Sequence, residues 1–495
     1  MKRTTKNKIE AICAIAILLF TLSIDTTSLA EGEFRARDGS GWDITDNGVL
    51  TIENNDGWQD YLRNGSYEVI NKLVIGNKLT EFYLFDCNTQ EYMNSDIECP
   101  WFQPKQIEVE EGNPVFVVEN GLLINTKNNT VTSSELWVKD VVIPEGIQTI
   151  GAYAFFRRSV ETIRFSSALE KIEAFTFSDC ENLKALIFPS ALNWIGEYAF
   201  SGCTSVSEIQ FSNNLGFIGE GAFDYCSIRE LVLPESVLEI GSQAFKGCDW
   251  LKIVRLPAHL EGIRYRLFYG CTNLTEINLP EGLETIGEEA FLGCENLKEV
   301  SLPETLGEIG EDAFQDLDFG LVEFPDTLKV GDSAFGRIHV AVFTGSNYEF
   351  SARSIEQVDI MLFLDNPPQG ISKLNADSLF PKVYYTEPFA DAWKAGVTNG
   401  LNGWPTMCIS LEEADDLIAQ AVATPQPTEE PSITTDALGS FSNTPEPSIQ
   451  PETDAGTDPL VYVFAGLIAL VIAAVVIIGV KSPKNRGRNT VQKKR

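Results

Sequence analysis

The sequence predicts a solenoid of parallel β strands with a short helical turn per coil, preceded by β-hairpin elements and followed by one C-terminal transmembrane helix. Three observations predict it. Cysteine recurs at positions 180, 203, 226, 248, 271 and 294, a spacing of 22 or 23 residues. A phenylalanine keeps the same period from Phe155 to Phe314, and Phe335 follows after 21 residues. Leu460 to Val480 carries no charge and is followed by seven basic residues and no acid.

The chain opens with Lys2, Arg3, Lys6 and Lys8, then an apolar run from Ala11 to Ile24, then Ser28-Leu29-Ala30. Basic, apolar, small is the order of a secretory signal peptide. The run is short against the roughly twenty residues a span needs. Residues 1–30 are therefore expected to be a leader cleaved after Ala30.

Residues 31–137 form an N-terminal region of hairpins and degenerate repeat. Asn47-Gly48 between Trp42-Asp43-Ile44 and Val49-Leu50-Thr51-Ile52 suits a tight hairpin turn. Cys87 and Cys99 lie here, apart from the periodic cysteines, and are candidates to pair with each other in an exported domain.

The array itself occupies residues 138–340 and counts nine units. One clear copy is LTEINLPEGLETIGEEAFLGC, Leu274 to Cys294. Its proline position recurs as Pro144, Pro189, Pro234, Pro257, Pro280, Pro303 and Pro325, with Ser166 and Ser212 in the other two units. Alternation in a strand turns Ile277 and Leu279 inward and Glu276 and Asn278 outward. Proline cannot donate to a ladder, so it ends the strand. A second apolar stretch, Leu283 and Ile286, leads to Gly287 at a turn, and Ala290-Phe291 is read as a helical turn. A single coil cannot cover its apolar side, whereas stacked coils bury a continuous core.

These units resemble the BspA-type, or Treponema-type, bacterial leucine-rich repeat, whose period lies in the range for leucine-rich repeats. The segment from Trp42 to Ile52 is similar to the opening hairpin of such proteins. Residues 107–125 resemble the hairpin insert that interrupts their arrays, and 71–87 a degenerate first coil. Val383 to Trp404, within the closing segment 341–421, resembles the segment that ends them. The resemblance implies a surface protein, with adhesion to host matrix or other cells among the roles of the family.

From Val422 to Asp458 the chain holds six prolines, eleven Ser or Thr, seven acids and no base. It cannot bury a core and is expected to be an extended, hydrated stalk. Residues 459–480 follow as the span. The basic tail, 481–495, belongs on the cytoplasmic side. The expected localisation is therefore the cell membrane, single-pass, with the rest of the chain outside.

The whole chain has 37 Lys and Arg against 71 Asp and Glu, a net charge of −34. Eleven of those bases lie in the leader and tail, so the ectodomain is more acidic still. Phosphate contacts need the opposite sign, which excludes a nucleic-acid partner. The regular cysteine spacing is neither a disulfide framework nor a metal-ligand pattern, where close pairs recur. Leu317 and Ile338 fill the same rung in later units, so cysteine here reads as a small buried hydrophobe. Only His259 and His339 are present, with no catalytic motif around them. An enzyme and a cofactor are not expected.

Recognition is the expectation that remains, with a protein or glycan on a host or neighbouring cell as the partner. A structural envelope role without ligand is the alternative, and a surface hydrolase a weaker one. Two departures from the repeat mark candidate binding patches. Trp194 and Phe217 stand in adjacent coils where other units have Thr149, Lys171, Glu239 and Thr285, and are expected to form an exposed apolar platform. The sixth unit replaces its turn glycine with Arg264 and adds Tyr265, Arg266 and Tyr269. Tyr and Arg are enriched in interface hot spots.

Overall fold

The structure is a computed structural model that describes residues 41–64, 70–82, 104–351, 353–367, 381–396 and 404–422. The leader, Cys87 and Cys99, the stalk beyond Val422, the span at 459–480 and the tail lie outside the described residues. Among the described residues, no helix is long and apolar enough to cross a membrane.

The first described element is the expected hairpin. Trp42–Ile44 pairs antiparallel with Val49–Asn54, and Gly48 takes the positive φ of 70° that closes the turn. Helix α1, Asn55–Asn64, packs Trp58 and Tyr61 against Leu50, Ile52, Leu73 and Ile75. Strands Lys72–Lys78 and Gln106–Val109 then join in parallel, which begins the coil stacking.

Coils one to seven of the array each have two short strands. The first, such as Glu276–Asn278, has three residues, and the second, such as Thr285–Ile286, has two. The coils are therefore mostly turn, not mostly strand. Second strands form the longer ladder: those from Thr149–Ile150 to Glu239–Ile240 pair in register and continue into the hairpin at Leu122–Ser134. First strands pair only in groups of two or three. Behind both, the recurring phenylalanines stack face to face. Phe177 and Phe200 lie 5.2 Å apart at 5°, and every ring from Phe155 to Phe335 is fully buried.

The turn around each phenylalanine corrects the sequence reading: it is not helical. Residues two before and two after the ring adopt left-handed φ, for example Tyr198 at 52° and Gly202 at 73° around Phe200. Alternate amides leave the coil. Tyr198, Phe200 and Gly202 donate to Glu220, Ala222 and Asp224 of the next coil, while Ser201 and Cys203 donate within their own. A helix would keep all these bonds inside one segment. A left-handed non-glycine costs about 1 kcal/mol, and each inter-coil hydrogen bond returns a similar amount.

The glycine after the second strand also differs from the reading of a turn residue. Gly241 has no positive φ; a Cβ there would lie 2.3 Å from the amide nitrogen of Glu220 in the coil before. Close backbone approach, not a turn, requires the missing side chain.

Parallel stacking runs past residue 340. Strands Phe314–Phe324, Phe335–Phe343, Ile355–Phe363, Lys382–Thr386 and Thr406–Ile409 form one five-stranded parallel sheet. Helix α2, Ala390–Gly396, brings Trp393 onto Tyr385, with ring centroids 5.0 Å apart. Helix α3, Leu411–Val422, lays Ala414, Ile418 and Ala421 over Val340, Val342 and Leu362 and covers the outward face of these last coils.

Candidate recognition surface

Trp194 and Phe217 are directly opposed in the parallel ladder of second strands. Their ring centroids are 3.8 Å apart at an interplanar angle of 15°. Trp194 is 39% exposed and Phe217 half-buried. The apolar platform expected from the sequence takes the form of a stack. In-register parallel stacking sets the rings face to face along the solenoid axis. The other side of Trp194 meets the Lys171 ammonium, 5.7 Å from the ring. Ring edges, not faces, therefore point to solvent and make an apolar ridge.

The same lane continues through Glu239, the register partner of Phe217. Glu239 in turn holds Arg264 at 3.2 Å. Lys171, Trp194, Phe217, Glu239 and Arg264 thus follow one another on five successive coils, which links the two candidate patches. Leu238, 74% exposed, precedes Glu239 in the chain and lies one position outside this lane. It was missed from sequence, although Glu170 and Glu261 at the equivalent positions mark it as a departure. Trp250, 57% exposed, was missed likewise; its lane holds Asn273 and Asn296, whose amides bond back to Asp249 and Thr272.

Arg266 and its tyrosines are engaged with one another. The guanidinium lies 4.8 Å from the Tyr265 ring and 5.2 Å from that of Tyr269, and makes two bonds to Glu289 at 2.9 and 2.7 Å. Bonding to Glu289 holds its pKa above the usual value. Of the four candidate residues in the sixth coil, Arg264 alone is exposed, and the other three are half-buried. That coil also breaks the second ladder: Glu239–Ile240 and Gly262–Ile263 belong to separate sheets. Glu173, which also stands where other coils have glycine, keeps its bond to Ile150.

All six ladder cysteines are buried. Each thiol donates to the phenylalanine carbonyl one coil earlier, as Cys203 Sγ does to Phe177 at 3.1 Å. Burial pushes the Cys180 thiol up to about 12 and the others upward as well. In the first unit Arg158 holds this rung. It is buried, donates to Ser134 O at 3.0 Å, and burial lowers its pKa to about 10.

His259 contacts the Val237 carbonyl at 3.0 Å, and His339 lies between Asp318 (3.2 Å) and Asp359 (2.8 Å). Among the described residues, no three His, Cys, Asp or Glu side chains are arranged to hold a metal ion.

Residues 133–248 and 216–340 match the BspA type leucine rich repeat region, in six copies. The array is a BspA-type leucine-rich repeat. No curated protein sequence matches the chain significantly. Among solved structures, a leucine-rich repeat protein from Bacteroides ovatus is 20% identical, over 59% of this chain and 97% of that one, with a TM-score of 0.36. The pneumococcal vaccine antigen PcpA is 18% identical over 74% and 96%, with a TM-score of 0.36. A leucine-rich cell surface protein from Faecalibacterium prausnitzii is 17% identical over 58% and 98%, with a TM-score of 0.29. In the BspA-type array of this chain, the Trp194–Phe217 ridge is the largest departure of the second-strand lane from its polar pattern.

Proposed function

We propose that the chain is a cell-surface recognition protein whose BspA-type array binds a partner protein through the Trp194–Phe217 ridge. The observation that carries this reading is the stacked pair, exposed at Trp194 and half-buried at Phe217, flanked by Lys171 and the Glu239–Arg264 ion pair. A ridge of ring edges fits a groove lined with apolar side chains, and burying it removes a large apolar area from water. A sugar stacks on an open ring face, and the faces here are taken up by neighbours, so a glycan partner is the weaker form of the same reading. The leader, the uncharged span and the basic tail support placing the array outside the cell, on a stalk, with its C-terminus inside.

The test is a screen of the full-length chain against matrix and bacterial surface proteins, repeated with Trp194→Thr/Phe217→Thr. Binding should fall about 30-fold or more, the effect of losing roughly 2 kcal/mol at a hot spot, with folding intact by circular dichroism. Equal binding by parent and variant would remove the ridge from recognition. The control, Glu276→Gln with Glu299→Gln, should leave this binding unchanged.

A further inference from the structure

The eighth coil carries a second feature, separate from the aromatic ridge. Its segment Lys298–Leu302 occupies the place of a first strand but forms none. Among the described residues, no hydrogen bond ties its backbone to either neighbouring coil. The equivalent Lys252 carbonyl, by contrast, accepts from both Thr275 and Glu276. Sheet pairing stops at Glu276–Asn278 on one side and resumes with Phe314–Phe324 on the other. Between them lies an open groove of about 760 Å³, with Ile277, Val300 and Leu321 along it. Helix α3 covers the outward face of the following coils and ends at this groove, with Ala421 and Val422 at its rim.

We infer that this break is a docking groove for an extended basic polypeptide strand from a partner. Unpaired backbone groups at a sheet break are a template for a further strand, whose main-chain bonds give affinity and whose alternate side chains give specificity. Charge sets the sign of the partner. Four carboxylates, Glu276, Glu299, Asp318 and Glu323, line the groove against Lys298 and His339. Glu276 is matched by Arg255 and Asp318 by His339, whereas Glu299 and Glu323 are exposed and have no ion pair among the described residues. Basic residues flanking an apolar centre complement that arrangement. The chain's own continuation past Val422 suits it poorly. Pro425 and Pro427 lack the amide a ladder needs, and Glu429 and Glu430 follow with the wrong charge.

The probe is a fluorescent peptide of alternating Lys and Val, eight residues long, titrated by anisotropy into the full-length chain in detergent micelles. Binding should weaken at least 10-fold when alternate peptide amides are N-methylated. The same loss is expected with Glu299→Gln/Glu323→Gln, both exposed and foldable by circular dichroism, whereas Trp194→Thr/Phe217→Thr should leave it unchanged. Equal binding of the N-methylated peptide would reduce the site to acidic surface and overturn the proposal. So would equal binding by the Gln variant. Should the peptide bind only after residues 423–458 are deleted, the groove belongs to the chain's own segment and the partner is ruled out. Loss of peptide binding leaves the ridge untouched, so this proposal and the recognition reading fail separately.

Discussion

The thiol of Cys226 donates to the carbonyl oxygen of Phe200 in the coil before, at 3.3 Å, and the residue is 1% exposed. The contact joins the two most regular features of the sequence. The stacked phenylalanines fill the core, and the cysteines tie each turn to the carbonyl row beneath it. Cys226→Ala should cost about 1–2 kcal/mol, because it opens a small void and removes a donor. Burial also keeps these thiols protonated. Alkylation of the native chain, read by peptide mass spectrometry, should label exposed Cys408 quickly and the six ladder positions slowly. Fast labelling of Cys226 or Cys248 in folded protein would show that the rung is open to solvent.

Periodic features were legible in sequence because the solenoid repeats its chemistry with its geometry. The period placed Phe200 and Cys203 in the core, and the alternation placed Glu276 outside. The turn was not legible. Its left-handed position is filled by Tyr198, Gln243, Arg266 and Glu289 in different coils, residues that share no turn preference. Hydrogen bonds to the next coil impose that conformation, and such bonds have no local signal. Ring orientation at Trp194 and Phe217 followed from in-register pairing, which sequence supplied only as a spacing. The break at Lys298–Leu302 was hidden too, since Leu297, Val300 and Leu302 fit the strand pattern as well as other coils do. What differs is the longer strand Phe314–Phe324 in the next coil, a tertiary feature.

Asp224 gives the fold a pH dependence. Its side chain is largely buried, Oδ1 has no hydrogen-bond partner, and Lys246 stands 3.9 Å from Oδ2. Burial pushes its carboxyl up to about 6, the lysine opposing the shift. The folded state therefore binds this proton more readily than the unfolded chain, whose value is near 3.9. Stability from the group is fully present below about pH 4 and lost as pH rises through 6. Asp224→Asn should accordingly stabilise the protein at pH 8, on the order of 2 kcal/mol, with the gain vanishing near pH 4. Urea midpoints across that range check the sign, and a parent that gains stability from pH 5 to pH 7 relative to the variant would contradict it.

Topology can be read on whole cells. If the proposed topology holds, protease added to sealed cells should release the array by cutting within 422–458, a segment rich in proline and acids. An epitope placed after Arg495 should stay protected until the membrane is opened. Digestion of that epitope on sealed cells would reverse the orientation drawn from the basic tail.

Amide exchange can test the interruption beside Arg264. In most coils of the array the residue after the second strand donates back to its neighbour, as Gly287 does to Ile263 at 2.8 Å and Gly241 does to Ile218 at 2.8 Å. Thr285 donates likewise to Glu261. At the sixth coil, Gly262 and Arg264 are the equivalent donors, yet Ile240 and Ile263 lie in separate sheets and no bond joins them among the described residues. The far side of the same strand is intact, since Gly262 and Ile263 pair with Thr285 and Ile286. So is the turn, where Gln243 donates to Tyr265 and Phe245 to Leu267. The opening is thus confined to one corner of one coil. Exchange through local opening scales with the free energy of exposing each amide. The amides of Gly262 and Arg264 should therefore exchange at least 100-fold faster than those of Thr285 and Gly287, while Gln243 and Phe245 remain protected. Equal protection at all four would mean that the ladder is continuous in solution. Fast exchange across the whole coil, Phe245 included, would instead place a weak boundary between two halves of the array.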